Sequence, residues 1–203
     1  MITLQDTVED LYKKAYVEEK TSSSARLDTL TEFCREQLSD RGVQGTERNA
    51  NLDAFVRTKN WDITSRQGDA PQIAISTKSV LNNLSGTIPN RTDELLGEVT
   101  DLQMRNPDVV TGYVVIVDTA DTADEPNRSR WAQKLERRID RLSGRRPPAW
   151  GRGLVESACV VKTNLVGPGD AQLLSDPGDM HDFFDTIVEQ YRERFESGQQ
   201  TLS

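Results

Sequence analysis

The chain has 203 residues, which suits one domain with a full-sized core better than two domains. Its longest strongly apolar run, residues 113–117, is far shorter than the roughly 18 residues of a membrane-spanning helix, and the opening MITLQDTVED lacks the basic and apolar segments of a secretory signal. We therefore expect a cytoplasmic protein with no membrane partner. The net charge of −8 argues against a generic nucleic-acid coat, because such proteins bind phosphate through an excess of Lys and Arg.

Apolar residues at helical spacing mark the beginning of the chain. Residues 3–20 and 25–41 each place apolar side chains three and four positions apart, and the serines of 22–24 separate the two patterns. Ala50, Ala54 and Phe55 indicate a third, shorter helix or a turn. These patterns predict that residues 1–58 form an N-terminal helical segment.

A β-hairpin is predicted next. Two β-branched runs, Trp61–Ser65 and Gln72–Thr77, are separated by a short segment that contains Gly-Asp and Pro. The polar segment Ser79–Asn90 has no periodicity and is predicted to be a loop. Asn90 is then expected to cap a helix over Arg91–Arg105.

The rest of the chain alternates between strands and helices. We expect a buried central strand over 109–118, a helix over 128–142, a basic Pro/Gly-rich connection over 144–153, a strand over 155–165 and a closing helix over 179–197. This order predicts a single α/β domain over 1–203, with 59–118 as its core and 119–203 supplying the remaining sheet, helices and basic loop.

Three residues of the core suit phosphodiester chemistry. Hydrolysis of a phosphodiester needs an activated water and stabilisation of charge on the phosphate, which metal-bound carboxylates and a lysine supply. Asp62 and Lys78 are 16 positions apart across the predicted hairpin, so facing strands can bring them together. On the following helix Glu94 and Glu98 flank the buried stripe, whereas Asp93 points more nearly outward.

The same stretch resembles the PD-(D/E)xK restriction-endonuclease superfamily. It is most similar to the type II branch that has Ser-x-Lys on the second strand and takes its second carboxylate from the following helix. Ser76-Thr77-Lys78 matches the Ser-x-Lys, and Asn90-Arg91-Thr92-Asp93-Glu94 is similar to the helix start of such enzymes. Trp61 stands where these enzymes usually have proline, which is not a ligand.

The resemblance implies a fold and an activity. It implies a restriction-endonuclease-like core, with a central mixed β-sheet flanked by helices, and Mg²⁺-dependent cleavage of double-stranded DNA at a specific sequence by a homodimer or homotetramer. Asp62 and Glu94 would be the metal ligands, with Asp93 and Glu98 as alternatives for Glu94, and Lys78 would orient the attacking water. The catalytic set that we expect is therefore Asp62, Lys78 and Glu94.

DNA contacts are expected from two polar segments. Small polar groups and guanidinium groups suit base edges and phosphates. The candidates are Asn82, Asn83, Ser85, Asn90 and Arg91 after the hairpin, and Arg145, Arg146 and Arg152 in the basic connection. No Gly-rich phosphate loop is present, so the sequence does not indicate ATP as a partner.

Two other functions are compatible with the same residues. One is a structure- or modification-dependent nuclease of DNA repair or antiphage defence. The other is a catalytically silent DNA-binding or protein-interaction module. The two nucleases differ in their substrate, and the silent module differs from both in lacking a complete metal site.

Overall fold

A six-stranded sheet forms the centre of the molecule, and helices cover both of its faces. The computed structural model describes residues 1–19, 24–148, 150–165 and 171–196. Its elements are α1 (Leu4–Tyr12), α2 (Asp28–Asp40), β1 (Thr46–Asp53), β2 (Thr58–Gln67), β3 (Ala70–Val80), α3 (Leu84–Arg105), β4 (Val110–Asp118), α4 (Arg128–Leu142), β5 (Ser157–Asn164), β6 (Gln172–Leu173) and α5 (Pro177–Tyr191). One π-helical turn follows α1 and another follows α5, and a 3₁₀ turn over Ser24–Leu27 leads into α2.

The strands lie in the order β1-β2-β3-β4-β5-β6. β1, β2 and β3 pair antiparallel, β3, β4 and β5 pair parallel, and β6 pairs antiparallel with β5. In this register Ile63 on β2 lies opposite Ile75 on β3, and Ser76 and Lys78 of β3 lie beside Tyr113 and Val115 of β4. The sheet is therefore mixed, as expected.

Apolar side chains form one core on each face of this sheet. Residues of α1, α2 and α5 pack on one face with side chains such as Ile75 and Val114, and residues of α3 and α4 pack on the other with side chains such as Tyr113 and Val115. β4 is buried along its whole length, because both faces of this central strand are covered. The predicted α/β fold, a mixed sheet flanked by helices with helices at the N-terminus, is confirmed.

Of the helix or turn expected near Ala50–Phe55, the helix is wrong, because residues 46–53 form strand β1, and only Ala54–Arg57 form a turn, closed by a hydrogen bond of 3.0 Å. The sequence of this strand, TERNANLD, is polar and buries only Ala50 and Leu52. It lacks the run of β-branched residues from which the other strands were predicted. Pairing with β2, rather than its own apolar pattern, makes this segment a strand. The N-terminal helical segment therefore ends before residue 46 and not at residue 58.

The loop expected over 79–90 is also largely wrong. Helix α3 begins at Leu84, so Asn90 lies inside it and does not cap it, and Pro89 is accommodated within the helix. Asn83 precedes the helix in a left-handed conformation, and the carboxylate of Glu125 accepts a hydrogen bond of 3.1 Å from the backbone N–H of Leu84. A distant carboxylate thus satisfies a free N–H at the start of the helix.

Of the helices in the part of the chain that the structure describes, none is long and apolar enough to cross a membrane.

Candidate active site

Strand β2 is irregular at Asp62. Trp61 and Ile63 are two positions apart and would share a face in a regular strand, yet they belong to the cores on opposite faces of the sheet. On the neighbouring strand, Asn49 has a positive φ of 52°. The carboxylate of Asp62 is held in place at this irregularity, because its Oδ2 accepts a hydrogen bond of 2.7 Å from the backbone N–H of Thr77.

Lys78 and Glu94 meet beside this carboxylate. Lys78 Nζ lies 3.8 Å from Glu94 Oε1, and Arg91 Nη1 donates a hydrogen bond of 2.5 Å to Glu94 Oε2. Burial alone would raise the pKa of Glu94, but the hydrogen bond from Arg91 and the charge of Lys78 outweigh it and lower that pKa below its ordinary value. Glu94 is therefore an ionised carboxylate held between two cations.

A cleft of about 420 Å³ opens onto these groups, between the beginning of α2, the end of β3 and α3. Its lining includes Asp62, Thr77, Lys78, Arg91 and Arg26. The hairpin and the following helix thus bring the predicted Asp62 and Lys78 to one cleft, with Glu94 against Lys78.

The three carboxylates of α3 have different surroundings. Asp93 is exposed, and Glu98 is buried in an ion pair with Lys59, whose ammonium lies 5.0 Å from the ring centroid of Trp61. Among these carboxylates, only Glu94 forms an ion pair with Lys78 within the described residues. Glu94 is therefore the best-placed candidate for the second carboxylate that was expected from this helix. Glu98 instead pairs with Lys59.

Tyr113 lies beneath the same cluster and was not singled out from the sequence. It is beside Ser76 on the central strand and only 1% exposed, and its hydroxyl has no hydrogen-bond partner among the described residues. Burial raises the pKa of this phenol, and the nearby carboxylates of Glu94, Glu98 and Asp62 raise it further, against the opposing charge of Arg91. The hydroxyl stays protonated and is available as a donor below the carboxylates.

The donor atoms at the site suit a hard cation. Mg²⁺ takes oxygen ligands and is commonly held by one or two carboxylates together with water and phosphate. Asp62 uses Oδ2 for the hydrogen bonds from Ser76 and Thr77, whereas its Oδ1 accepts no hydrogen bond from a described residue. The described ranges contain no group of three or more His, Cys, Asp or Glu side chains arranged to hold a metal. The carboxylates of Asp62 and Glu94 are the type of ligand that such an ion takes, and Glu94 would have to exchange its contact with Lys78 or Arg91 for the metal.

The polar residues expected to contact DNA after the hairpin lie just before α3, at Asn82 and Asn83, and on its first two turns. Asn82, Asn83, Ser85 and Asn90 are exposed there. Arg91 differs from them, since its side chain lines the cleft and pairs with Glu94. The exposed group does not line the cleft, whereas Arg91 belongs to the charged site itself.

Arg145 is not available to DNA, and its expected role is corrected. Its side chain is 2% exposed, and its Nη1 donates hydrogen bonds of 2.9 Å to both Glu156 Oε1 and the carbonyl of Val109. Glu156 also binds Arg194 at 2.7 Å, which links the basic connection to the end of α5. Arg145 is thus part of a buried structural ion network.

Arg146 and Arg152 are exposed but lie at the other end of the sheet. Their connection is anchored at Val109, before β4, whereas Lys78 lies beside Val115. Six residues of strand separate these positions, which is about 20 Å. These arginines can reach only a long ligand that extends well beyond the cleft.

Arg26 is the other residue of the site that the sequence did not reveal. It follows a serine-rich segment and carries no motif, so only the packing of α2 against the sheet shows that it faces the cleft. Tyr113 could not be identified from the sequence for a related reason, since its position beside Ser76 depends on the register between β3 and β4.

No known family model matches this chain, and no curated protein was found to match its sequence.

Proposed function

We propose that this protein is a Mg²⁺-dependent type II restriction endonuclease that cleaves double-stranded DNA at a specific sequence. The observation that supports the proposal is the position of Asp62 and Lys78 at one cleft, with the carboxylate of Glu94 3.8 Å from the ammonium of Lys78.

Each side chain has a distinct task in the proposed reaction. When bound, Mg²⁺ would be held by Asp62 and Glu94 and would supply charge stabilisation at the phosphate and activation of water. The backbone N–H of Thr77 keeps the Asp62 carboxylate oriented. Lys78 is half-buried beside Glu94, so its ammonium can orient the attacking water and offset the negative charge that develops on the phosphate.

The rest of the surface suggests how a duplex is held. Asn82, Asn83, Ser85 and Asn90 form an exposed polar rim at the start of α3, and amide groups of this kind can read base edges in a groove. Two such sites can cut the two strands of one sequence together, which is why we propose a homodimer or homotetramer. For a protein that acts on DNA in this way, we propose a cytoplasmic location.

Incubation of the protein with phage DNA tests the proposal. We expect discrete fragments with Mg²⁺ and none with EDTA. Cleavage restricted to modified or branched DNA would replace sequence-specific restriction by the structure- or modification-dependent nuclease. Absence of cleavage over a range of salt concentrations would reject the enzyme and favour a silent binding module.

A further inference from the structure

Arg26 lies on the wall of the cleft that faces Lys78 and Arg91. It is in the 3₁₀ turn before α2 and is half-buried, and it makes no hydrogen bond or ion pair with a described residue. Neighbouring arginines behave differently: Arg35 pairs with Glu32, and Arg48 pairs with Glu32 and Asp28. Arg26 therefore has an uncompensated charge in a protein whose net charge is −8.

The carboxylates around this cleft are already engaged. Asp28 pairs with Arg48, Asp62 accepts hydrogen bonds from β3, and Glu94 lies between Lys78 and Arg91. None of these contacts neutralises Arg26. On the side of α2 the cleft therefore has a cation that none of these carboxylates neutralises.

Two further observations indicate that an anion would bind favourably here. Burial lowers the pKa of Arg26, and the positive charge of Arg91 lowers it further, so the two guanidinium groups act on each other across the cleft. Arg91 Nε is buried without a hydrogen-bond partner in the described part of the chain. An anion bound between these groups would satisfy the free donors and relieve the repulsion.

We propose that Arg26, together with Lys78 and Arg91, forms a phosphate subsite that grips a backbone phosphodiester of the bound DNA strand. This inference rests on the proposed nuclease function and adds to it a binding group from outside the hairpin and α3. A guanidinium suits the role because its planar N–H groups can bind two phosphate oxygens at once. The subsite would fix the strand against the carboxylates of Asp62 and Glu94.

Fluorescence anisotropy with duplex DNA tests the subsite, with Ca²⁺ in place of Mg²⁺ to allow binding without cleavage. We expect Arg26→Ala to weaken binding about 10- to 100-fold, as for the loss of a hydrogen bond to a charged group. The slope of log K against log salt should fall in magnitude by about one. Arg35→Ala removes the same charge from the next helix and should bind like the wild type. Arg26→Lys should recover part of the affinity, because it keeps the charge without the fork of donors.

Pyrophosphate binding, measured by calorimetry on the same variants, separates this inference from the proposed function. If the wild type binds DNA and Arg26→Ala binds it equally well with the same salt slope, the subsite is refuted and the nuclease proposal stands. If the wild type neither binds nor cleaves DNA, yet binds pyrophosphate in a manner that depends on Arg26, the nuclease proposal fails and the anion site stands. If the wild type binds neither ligand, both are overturned. Thermal unfolding of Arg26→Ala should match that of the wild type, since Arg26 has no hydrogen bond or ion pair to lose within the described ranges.

Discussion

Glu98→Gln tests whether Glu98 is a structural residue and Glu94 the functional one. Glu98 is 7% exposed and Lys59 is 20% exposed, and the ammonium of Lys59 also lies over Trp61. The substitution keeps the volume of the side chain but leaves the lysine without its counter-charge. Burial already lowers the pKa of Lys59, and the Glu98 charge acts in the opposite direction.

The size of the effect follows from this burial. Breaking a fully buried ion pair costs about 3–5 kcal/mol, and the residual exposure of Lys59 reduces our expectation to about 2–4 kcal/mol. For a domain of this size, the melting temperature should fall by about 2–4 °C per kcal/mol. Glu94→Gln should cost at most about 1 kcal/mol, because that carboxylate is about one-third exposed.

Urea denaturation of both variants provides the measurement. The double variant Lys59→Met with Glu98→Gln should recover most of the lost stability, since the unpaired charge is removed. If Glu98→Gln has a free energy of unfolding within about 0.5 kcal/mol of the wild type, the reasoning that assigns Glu98 to the structure is refuted, and Glu98 returns as a candidate ligand.

Three further predictions concern the buried and charged groups. Tyr113→Phe should leave the free energy of unfolding of the metal-free protein unchanged or raise it by up to about 1 kcal/mol, because the lost hydroxyl has no partner among the described residues. Urea denaturation measures this, and a clear loss of stability would show that the hydroxyl is already hydrogen-bonded. Glu156→Gln should destabilise by about 3–5 kcal/mol, since Arg145 and Arg194 would lose their shared carboxylate in a buried site, and unchanged thermal unfolding would contradict this network. Because the pKa of Glu94 is lowered in the folded protein, its stabilising contribution is fully present at a pH above its ordinary pKa of 4.5 and is lost as the pH falls through its folded-state pKa. The fall in stability at acid pH should therefore be less steep in Glu94→Gln. An unaltered stability–pH curve would contradict the pairing of Glu94 with Lys78 and Arg91.

The sequence was most informative where one face of an element is apolar. The buried run ending at Asp118 and the amphipathic pattern of 128–142 predicted β4 and α4 almost to the residue. β1 was missed because partners on β2, rather than its own residues, hold it in the sheet. The start of α3 was missed because the group that bonds Leu84 is Glu125, 41 positions away.

The site could be predicted in part for the same physical reasons. A hairpin dictates that Asp62 and Lys78 approach each other, and a helical wheel limits the next carboxylate to a few positions. The wheel could not choose between Glu94 and Glu98, because the choice depends on which lysine each one meets. Arg145 was misassigned because a guanidinium in a Pro/Gly-rich connection is normally solvated, and only its pairing with Glu156 buries it.

The most direct test of the central claim is the single-turnover rate of DNA cleavage in saturating Mg²⁺ for Asp62→Asn and Lys78→Ala, with Lys162→Ala as a control lysine that does not line the cleft and pairs with Glu136. We expect both site variants to lose at least about 100-fold in rate, as for removal of a group that stabilises the transition state. Their thermal unfolding should match the wild type, and Lys162→Ala should cleave normally. Cleavage at the wild-type rate by either site variant would contradict the assignment of this cleft as the active site.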